Sequence, residues 1–339
     1  MPRARLPATA LMLAALSARA AAWPEAKPQD HGLDPALLEK ASAYLIENKP
    51  ASTSLLIARH GVLVFERYYG GATRDDAGNV KSISKSVLSA LVGIAISEHR
   101  MGGLDDRVAA YLPEAFAAVR DAGTRELRIR HLLTMTAGLS WVENGGVTQE
   151  WMRNPDPNGF ALAQPRVAPP GEQFEYSTAL THLLSTVLTR ATGMSTRDYA
   201  ASRVFRPLGI ARPRWDQLAG VTFGGAELYL TPRDLARFGQ LYLEKGRWGG
   251  RQVVPAEWVA DSTRPQAREY YGYLWWLHAP TGRRMVCAQG AFGQYACIVP
   301  GLDLVIVHTS GPASGRRAAA LPLDMIPRFI FPAVKAAGE

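Results

Sequence analysis

Apolar positions in this chain change their spacing from segment to segment, and the changes outline its elements. After Asp34-Pro35, Leu37, Leu38, Ala41, Tyr44 and Leu45 recur at helical spacing, and Pro50 closes the run. A capping aspartate and a proline in first position predict a helix there. Residues 53–58 and 62–69 are rich in β-branched and aromatic side chains and flank Arg59-His60-Gly61, which predicts a hairpin. A polar turn over 75–79 then leads into Lys81-Ser82-Ile83-Ser84-Lys85-Ser86-Val87-Leu88, continued by Leu91, Val92, Ile94 and Ile96. That helix is apolar on nearly every side, so it is expected at the centre of the protein.

Residues 101–213 carry no convincing strand pattern. Helices are expected at 128–136 and 180–191, the second stopped by Thr192-Gly193. The intervening stretch 138–170, with Trp141, Trp151 and many prolines, is expected to be a long loop acting as a lid or substrate wall. Strand signals return at 273–278, 284–287, 294–299 and 303–309, and a final helix is expected over 316–334. Strands at both ends of the chain with helices between them predict an α/β (α+β) fold, an antiparallel sheet flanked by helices plus an all-helical subdomain. The expected division is 23–100 with 220–339 as a discontinuous sheet domain, and 101–219 as the helical subdomain.

A chain of 339 residues, 47% hydrophobic and 20% charged, can bury a large core, which excludes disorder. Residues 1–22 hold Arg3 and Arg5, an apolar segment from Leu6 to Leu16 and small residues up to Ala22. This is the layout of a Sec-type signal peptide, and it places the protein in the periplasm or outside the cell. The apolar segment is short of the roughly 20 residues a membrane span needs, so no membrane span is expected after cleavage. The formal charge of +8 comes from scattered arginines, three of them in the leader, without the basic block of a nucleic-acid binder. Cys287 and Cys297 lie symmetrically about Phe292 in an expected hairpin. In an oxidising compartment they could pair, the alternative being two buried thiols. Neither they nor the seven histidines have metal-binding spacing, and no metal or cofactor is implied.

Ser82 and Lys85 stand three apart at the start of the central helix, on one face. A serine hydroxyl needs a base, and a lysine one turn away serves if burial lowers its pKa toward neutrality. The helix start adds N–H groups and a positive dipole end where an oxyanion forms. The competing reading makes Ser82 an N-cap and Lys85 a solvated side chain, and the motif alone does not decide. Two further stretches supply partners. Pro169-Pro170-Gly171-Glu172-Gln173-Phe174-Glu175-Tyr176-Ser177-Thr178 puts Tyr176 at the start of a helix, where a phenol can shuttle a proton. Ala288-Gln289-Gly290-Ala291-Phe292-Gly293 ends a strand with glycines, letting substrate approach the backbone.

Taken together these stretches resemble the serine β-lactamase and penicillin-binding-protein superfamily, in particular a class C-like branch that includes 6-aminohexanoate-dimer hydrolases and related esterases. Ser82-Ile83-Ser84-Lys85 matches the S-x-x-K box, Tyr176-Ser177-Thr178 the tyrosine box, and Ala288-Gln289-Gly290 the third box. Stretches 130–139, 206–209, 229–238 and 271–276 also look like that branch. No G-x-S-x-G elbow occurs, which argues against an α/β-hydrolase fold. Two positions depart from the pattern. Thr178 replaces the asparagine of Y-x-N, and Ala288 replaces the third-box Lys or His.

The resemblance implies a serine hydrolase that cleaves small esters or linear amides through an acyl-enzyme. Ser82, Lys85, Tyr176 and the N–H of Ala291 are its catalytic groups, with Gln289 and Gly290 of the third box against the substrate. Independently of the resemblance, the aromatic side chains Trp141, Trp151, Phe292 and Tyr273 suggest an open, partly apolar cleft, with Trp141 and Phe292 expected against the substrate. A β-lactamase or D-Ala-D-Ala peptidase is the nearest alternative, and a non-catalytic penicillin sensor is the alternative of another class. The partner expected is a small ester or amide.

Overall fold

The computed structural model describes residues 23–311 and 323–335. The leader at 1–22 and residues 316–322 of the expected final helix lie outside the described residues, and the rest of that helix is helical over 326–333. Six antiparallel strands form the main sheet: β1 (Ser52–Arg59), β2 (Val62–Tyr68), β3 (Trp276–His278), β4 (Met285–Gly290), β5 (Gln294–Val299) and β6 (Leu304–Ser310). Their order is β3-β4-β5-β6-β1-β2, so β6 pairs with β1 and joins the two ends of the chain.

Both faces of this sheet are covered, which explains strands that are apolar at almost every position instead of alternating. Leu56, Ala58, Val286, Ala288, Val305 and Val307 point into one core. Leu55, Ile57, Cys287, Cys297, Leu304 and Ile306 point into the other. Helix α1 (Pro35–Asn48) covers the second face together with the described C-terminal turns at 326–333. Its start follows the sequence, with Asp34 accepting from the Ala36 N–H and Pro35 in the first turn. Cys287 and Cys297 sit directly opposite each other on β4 and β5 and form a disulfide.

Helix α2 (Ile83–Ser97) is buried from Ile83 through Ala95. It packs on β4 and on helix α5 (Thr178–Thr192). It was expected to be central because it is apolar all round, and it separates the sheet from the helical region. Helix α6 (Pro232–Leu243) starts with a capping box of Thr231 and Asp234 and lies across β5 and β6. Among the described residues no helix is long and apolar enough to cross a membrane.

The expected lid is not a structureless loop. Within 138–170 stand helices α3 (Gly146–Arg153) and α4 (Pro157–Leu162). The two ends of the stretch are tied by Ser140 N–H to the Pro165 carbonyl and Val167 N–H to the Gly138 carbonyl, both at 2.8 Å. Trp141 and Trp151 are buried with Ala161, Ala179 and Phe223 in a small core of their own. Aromatic burial, invisible to a count of prolines and polar residues, turns this stretch into a fixed wall. Two other boundaries moved. The strand expected at 273–278 is paired only over 276–278, because Leu274 takes a left-handed φ of 62° and donates to the Leu133 carbonyl. The helix expected at 128–136 shrinks to Ile129–Leu133, ahead of Met135 at φ 57°.

Candidate active site

Ser82 precedes the first residue of α2, yet its side chain makes no capping hydrogen bond. The neighbouring Ser84 hydroxyl donates instead to the Lys81 carbonyl. The Ser82 hydroxyl is thus left to Lys85, whose Nζ lies 2.9 Å away. Lys85 is 1% exposed, and Nζ also lies 3.0 Å from Thr178 Oγ1 and 2.7 Å from the Gly225 carbonyl. A charged ammonium would donate to all three. A neutral amine would donate to Thr178 and Gly225 and turn its lone pair to the serine, the arrangement a base requires. Burial lowers the Lys85 pKa to about 8, against the opposing pull of the Glu143 carboxylate.

The Gly225 carbonyl reaches Lys85 because its segment lies against α5. A Cβ there would stand 2.4 Å from Thr178 Cγ2. The adjacent pair Gly224-Gly225 is a sequence feature that fits such a close approach, one that sequence reasoning did not use.

Tyr176 reaches the same point from the turn before α5. Its ring centroid is 5.1 Å from Lys85 Nζ, and Ser82 is the side chain that most favours the ionised phenol. Desolvation raises the phenol well above its ordinary range, the nearby Ser82 opposing. The ring stacks on Trp276 at 5.6 Å, and Tyr271 and Tyr270 continue the aromatic wall. Trp276 belongs to a stretch noted only for its resemblance, so sequence reasoning gave it no place at the site.

Gly290 brings the end of β4 against the turn before α2. A Cβ on it would lie 2.3 Å from the Val80 carbonyl oxygen and 3.1 Å from the Ser82 nitrogen. Ala291 follows at the exposed head of the turn. Phe292 is half-buried at φ 65°, and its ring centroid is 5.9 Å from Lys81 Nζ. Behind this turn lies a cavity of about 430 Å³, lined by Phe292, Lys81, Asn79, Tyr229 and Ser310 among others.

Two of the expected substrate contacts are placed elsewhere. Gln289 pairs with Tyr295 and so belongs to the face of the sheet that carries Cys287, opposite Ala288. It is buried and its amide bonds to His278. Trp141 is 5% exposed and packs edge-on against Trp151, so it offers a substrate little surface. Its Nε1 donates to Glu143 Oε2 at 2.8 Å. Trp151 is fully buried and Tyr273 packs on Trp258, so neither widens the cleft as expected.

Glu143 is the residue sequence reasoning missed. Besides Trp141 its Oε2 accepts from the Thr178 N–H at 2.9 Å, and its Oε1 accepts a short hydrogen bond from the Thr178 hydroxyl. Ser82, Lys85, Thr178 and Glu143 therefore form one continuous hydrogen-bonded row.

The profile of the Beta-lactamase family matches residues 42–322. The chain is 26% identical over 287 residues to the 6-aminohexanoate-dimer hydrolase of Paenarthrobacter ureafaciens, covering 76% of this chain and 72% of that one. It is 28% identical over 187 residues to esterase EstB of Burkholderia gladioli, covering 49% and 47% of the two chains. The octameric penicillin-binding protein homologue from Pyrococcus abyssi superposes with a TM-score of 0.70 at 18% identity, covering 88% of this chain and 78% of that one. At that identity the likeness speaks for the fold.

Proposed function

We propose, from the premise that the chain belongs to the Beta-lactamase family of serine hydrolases, that it cleaves small esters and linear amides through an acyl-enzyme on Ser82. The observation that carries this reading is the position of Lys85 Nζ, buried, held by three oxygens and 2.9 Å from the Ser82 hydroxyl. Neutral Lys85 takes the Ser82 proton as the serine oxygen attacks the substrate carbonyl. The N–H groups of Ser82 and Ala291 stabilise the oxyanion. Tyr176, kept protonated by desolvation, gives its proton to the departing alkoxide or amine and recovers one by way of Lys85. Water then attacks the acyl-serine, and the acid is released with Ser82 restored.

The substrate class follows from the two departures. Thr178 has one hydroxyl proton and gives it to Glu143, leaving none for a substrate amide carbonyl. Ala288 is fully buried and offers no cation to a substrate carboxylate. Of the nearby arginines, Arg284 donates to the Thr263 carbonyl and Arg283 lies over Phe331. A β-lactam would lose both contacts, each charge-assisted one typically worth about 1.5 to 3 kcal/mol. A neutral ester loses neither. A relative named 6-aminohexanoate-dimer hydrolase and another named as an esterase agree with this. Export is part of the proposal, and the Cys287–Cys297 disulfide suits an oxidising compartment.

The test compares kcat/KM for a p-nitrophenyl ester, a 6-aminohexanoate-type amide and a chromogenic cephalosporin on one preparation. A fluorophosphonate is expected to add mass to the peptide carrying Ser82, and Ser82→Ala to abolish both labelling and turnover. Label on Ser140 or Ser177 overturns the nucleophile. Preference for the cephalosporin overturns the substrate class. A single stoichiometric burst makes the protein a sensor.

A further inference from the structure

The Lys85 ammonium is buried beside one carboxylate that the reaction as described does not use. Glu143 sits on the fixed wall between Gly138 and Pro170, 58 residues from Lys85 in sequence, with both carboxylate oxygens engaged by Trp141 and Thr178. It sits at the N-terminal end of α5, where its Oε2 accepts from the Thr178 N–H.

We propose that Glu143 is a positioning residue of the catalytic pair: acting through the Thr178 hydroxyl, its carboxylate orients Lys85 on Ser82 and sets the pH at which Lys85 becomes a base. The inference rests on the acyl-enzyme reading of Ser82 and Lys85 given above.

The orientation follows from counting protons. A threonine hydroxyl has one donor. Because it is given to Glu143, the oxygen can face Lys85 only with a lone pair, so Lys85 must donate to it. With a second Lys85 hydrogen fixed on the Gly225 carbonyl, the remaining direction of the neutral amine, its lone pair, is left for the Ser82 hydroxyl. Without Glu143 the Thr178 proton is free to turn toward Lys85 and compete with the serine.

The electrostatic half follows from what surrounds Lys85. From α2 it meets Ser82, from the start of α5 Thr178 and Tyr176, from the 223–226 segment a carbonyl, and from the wall Glu143. Tyr271, packed on Tyr176, completes the set. Desolvation raises both phenols and keeps them neutral. Glu143 is therefore the negative charge that offsets burial and holds the lysine near neutrality. Removing that charge makes the ammonium less stable, so Lys85 loses its proton at a lower pH.

The experiment follows kcat/KM on a p-nitrophenyl ester, and the rate of fluorophosphonate labelling, from pH 5 to 10 in wild type, Glu143→Gln, Glu143→Asp, Thr178→Val and Thr178→Ser. In Glu143→Gln the acid limb should move down by about one pH unit and the plateau should fall about tenfold. Glu143→Asp should return the limb toward its wild-type position. Thr178→Val removes an acceptor from the ammonium and should move the limb in the same direction, while Thr178→Ser should leave it in place. Circular dichroism establishes which variants fold. A limb at the wild-type pH in whichever of Glu143→Gln and Thr178→Val folds overturns the proposal, whatever happens to the plateau, because a merely structural role lowers the rate without moving the limb. Absence of Ser82 labelling in wild type itself would instead refute the acyl-enzyme reading.

Discussion

Gly290 touches the backbone of Ser82 across the junction of sheet and central helix. A side chain on Gly290 would begin 3.1 Å from the Ser82 nitrogen and 2.3 Å from the Val80 carbonyl. The end of β4, just before Ala291, is thus seated directly on the turn that carries Ser82, the proposed nucleophile. Lys81, in that turn, takes a left-handed φ of 53°, and its backbone N–H is held by the Asn79 side chain at 2.9 Å. Strain of this kind persists only where surrounding structure overdetermines it.

Gly290→Ala should therefore push β4 off the helix and separate the two oxyanion donors. The expected effect is a loss of roughly a hundredfold or more in kcat, the scale seen when one such donor is removed, with a much smaller change in KM. Steady-state kinetics on a p-nitrophenyl ester, with circular dichroism to establish folding, give the answer. A folded variant with wild-type kcat would mean that Ala291 does not take part in binding the oxyanion.

The division of labour between Lys85 and Tyr176 is open to a leaving-group test. Burial moves the two side chains in opposite directions, Lys85 down to about 8 and Tyr176 up, which suits one to accept and the other to donate. Tyr176→Phe should then cost a factor on the order of 100 to 10,000 with an alkyl ester or amide, whose leaving group needs a proton. With p-nitrophenolate, which leaves unprotonated, the cost should be far smaller. Equal losses on both substrates would assign Tyr176 to the attack step and make it the base.

How far the site could be read from sequence depended on how local each contact is. Ser82 and Lys85 were legible because three residues in a helix suffice to bring them together, and the structure adds the 2.9 Å distance. Cys287 and Cys297 were legible as a possible pair because a hairpin centred on Phe292 sets them opposite each other. The strands that enter both cores were legible because burial on two faces leaves long apolar runs. Glu143 was not, since Thr178 and Lys85, toward which it faces, lie 35 and 58 residues away and nothing in Trp141-Val142-Glu143 marks it as more than a loop carboxylate. Trp141 was assigned to substrate on aromatic character alone, and that character serves equally well for the small core it builds with Trp151. The short pairing of Gly78–Asn79 with Leu228–Leu230, which sets the approach to Lys81, is too brief to leave a periodicity.

The buried histidines carry the last prediction. His182 on α5 is fully buried, edge-on to Trp151 at 5.7 Å and to Phe223 at 5.9 Å. Neither of its ring nitrogens has a hydrogen-bond partner among the described residues. His308 on β6 is 1% exposed, but its nitrogens meet the Gly293 carbonyl at 2.6 Å and the Ser52 hydroxyl at 2.8 Å. Burial lowers both imidazoles from the ordinary 6.5 to about 4. In the unfolded chain they bind protons from about pH 6.5 downward, whereas in the folded protein they stay neutral until about pH 4. The unfolded state thus holds more protons throughout that window. Stability is full above pH 6.5 and falls on acidification, by an amount on the order of 3 kcal/mol per histidine once both pKa values are passed. His182→Leu removes one of the two groups together with two unsatisfied polar atoms. It should be neutral or stabilising at pH 8 and should lose less stability than wild type between pH 7 and pH 4.5, while His308 keeps part of the slope. Urea midpoints measured across that range decide the matter. If wild type and His182→Leu weaken in parallel, the neutral buried imidazole of His182 is not a source of acid sensitivity, and the loss must come from groups elsewhere in the protein.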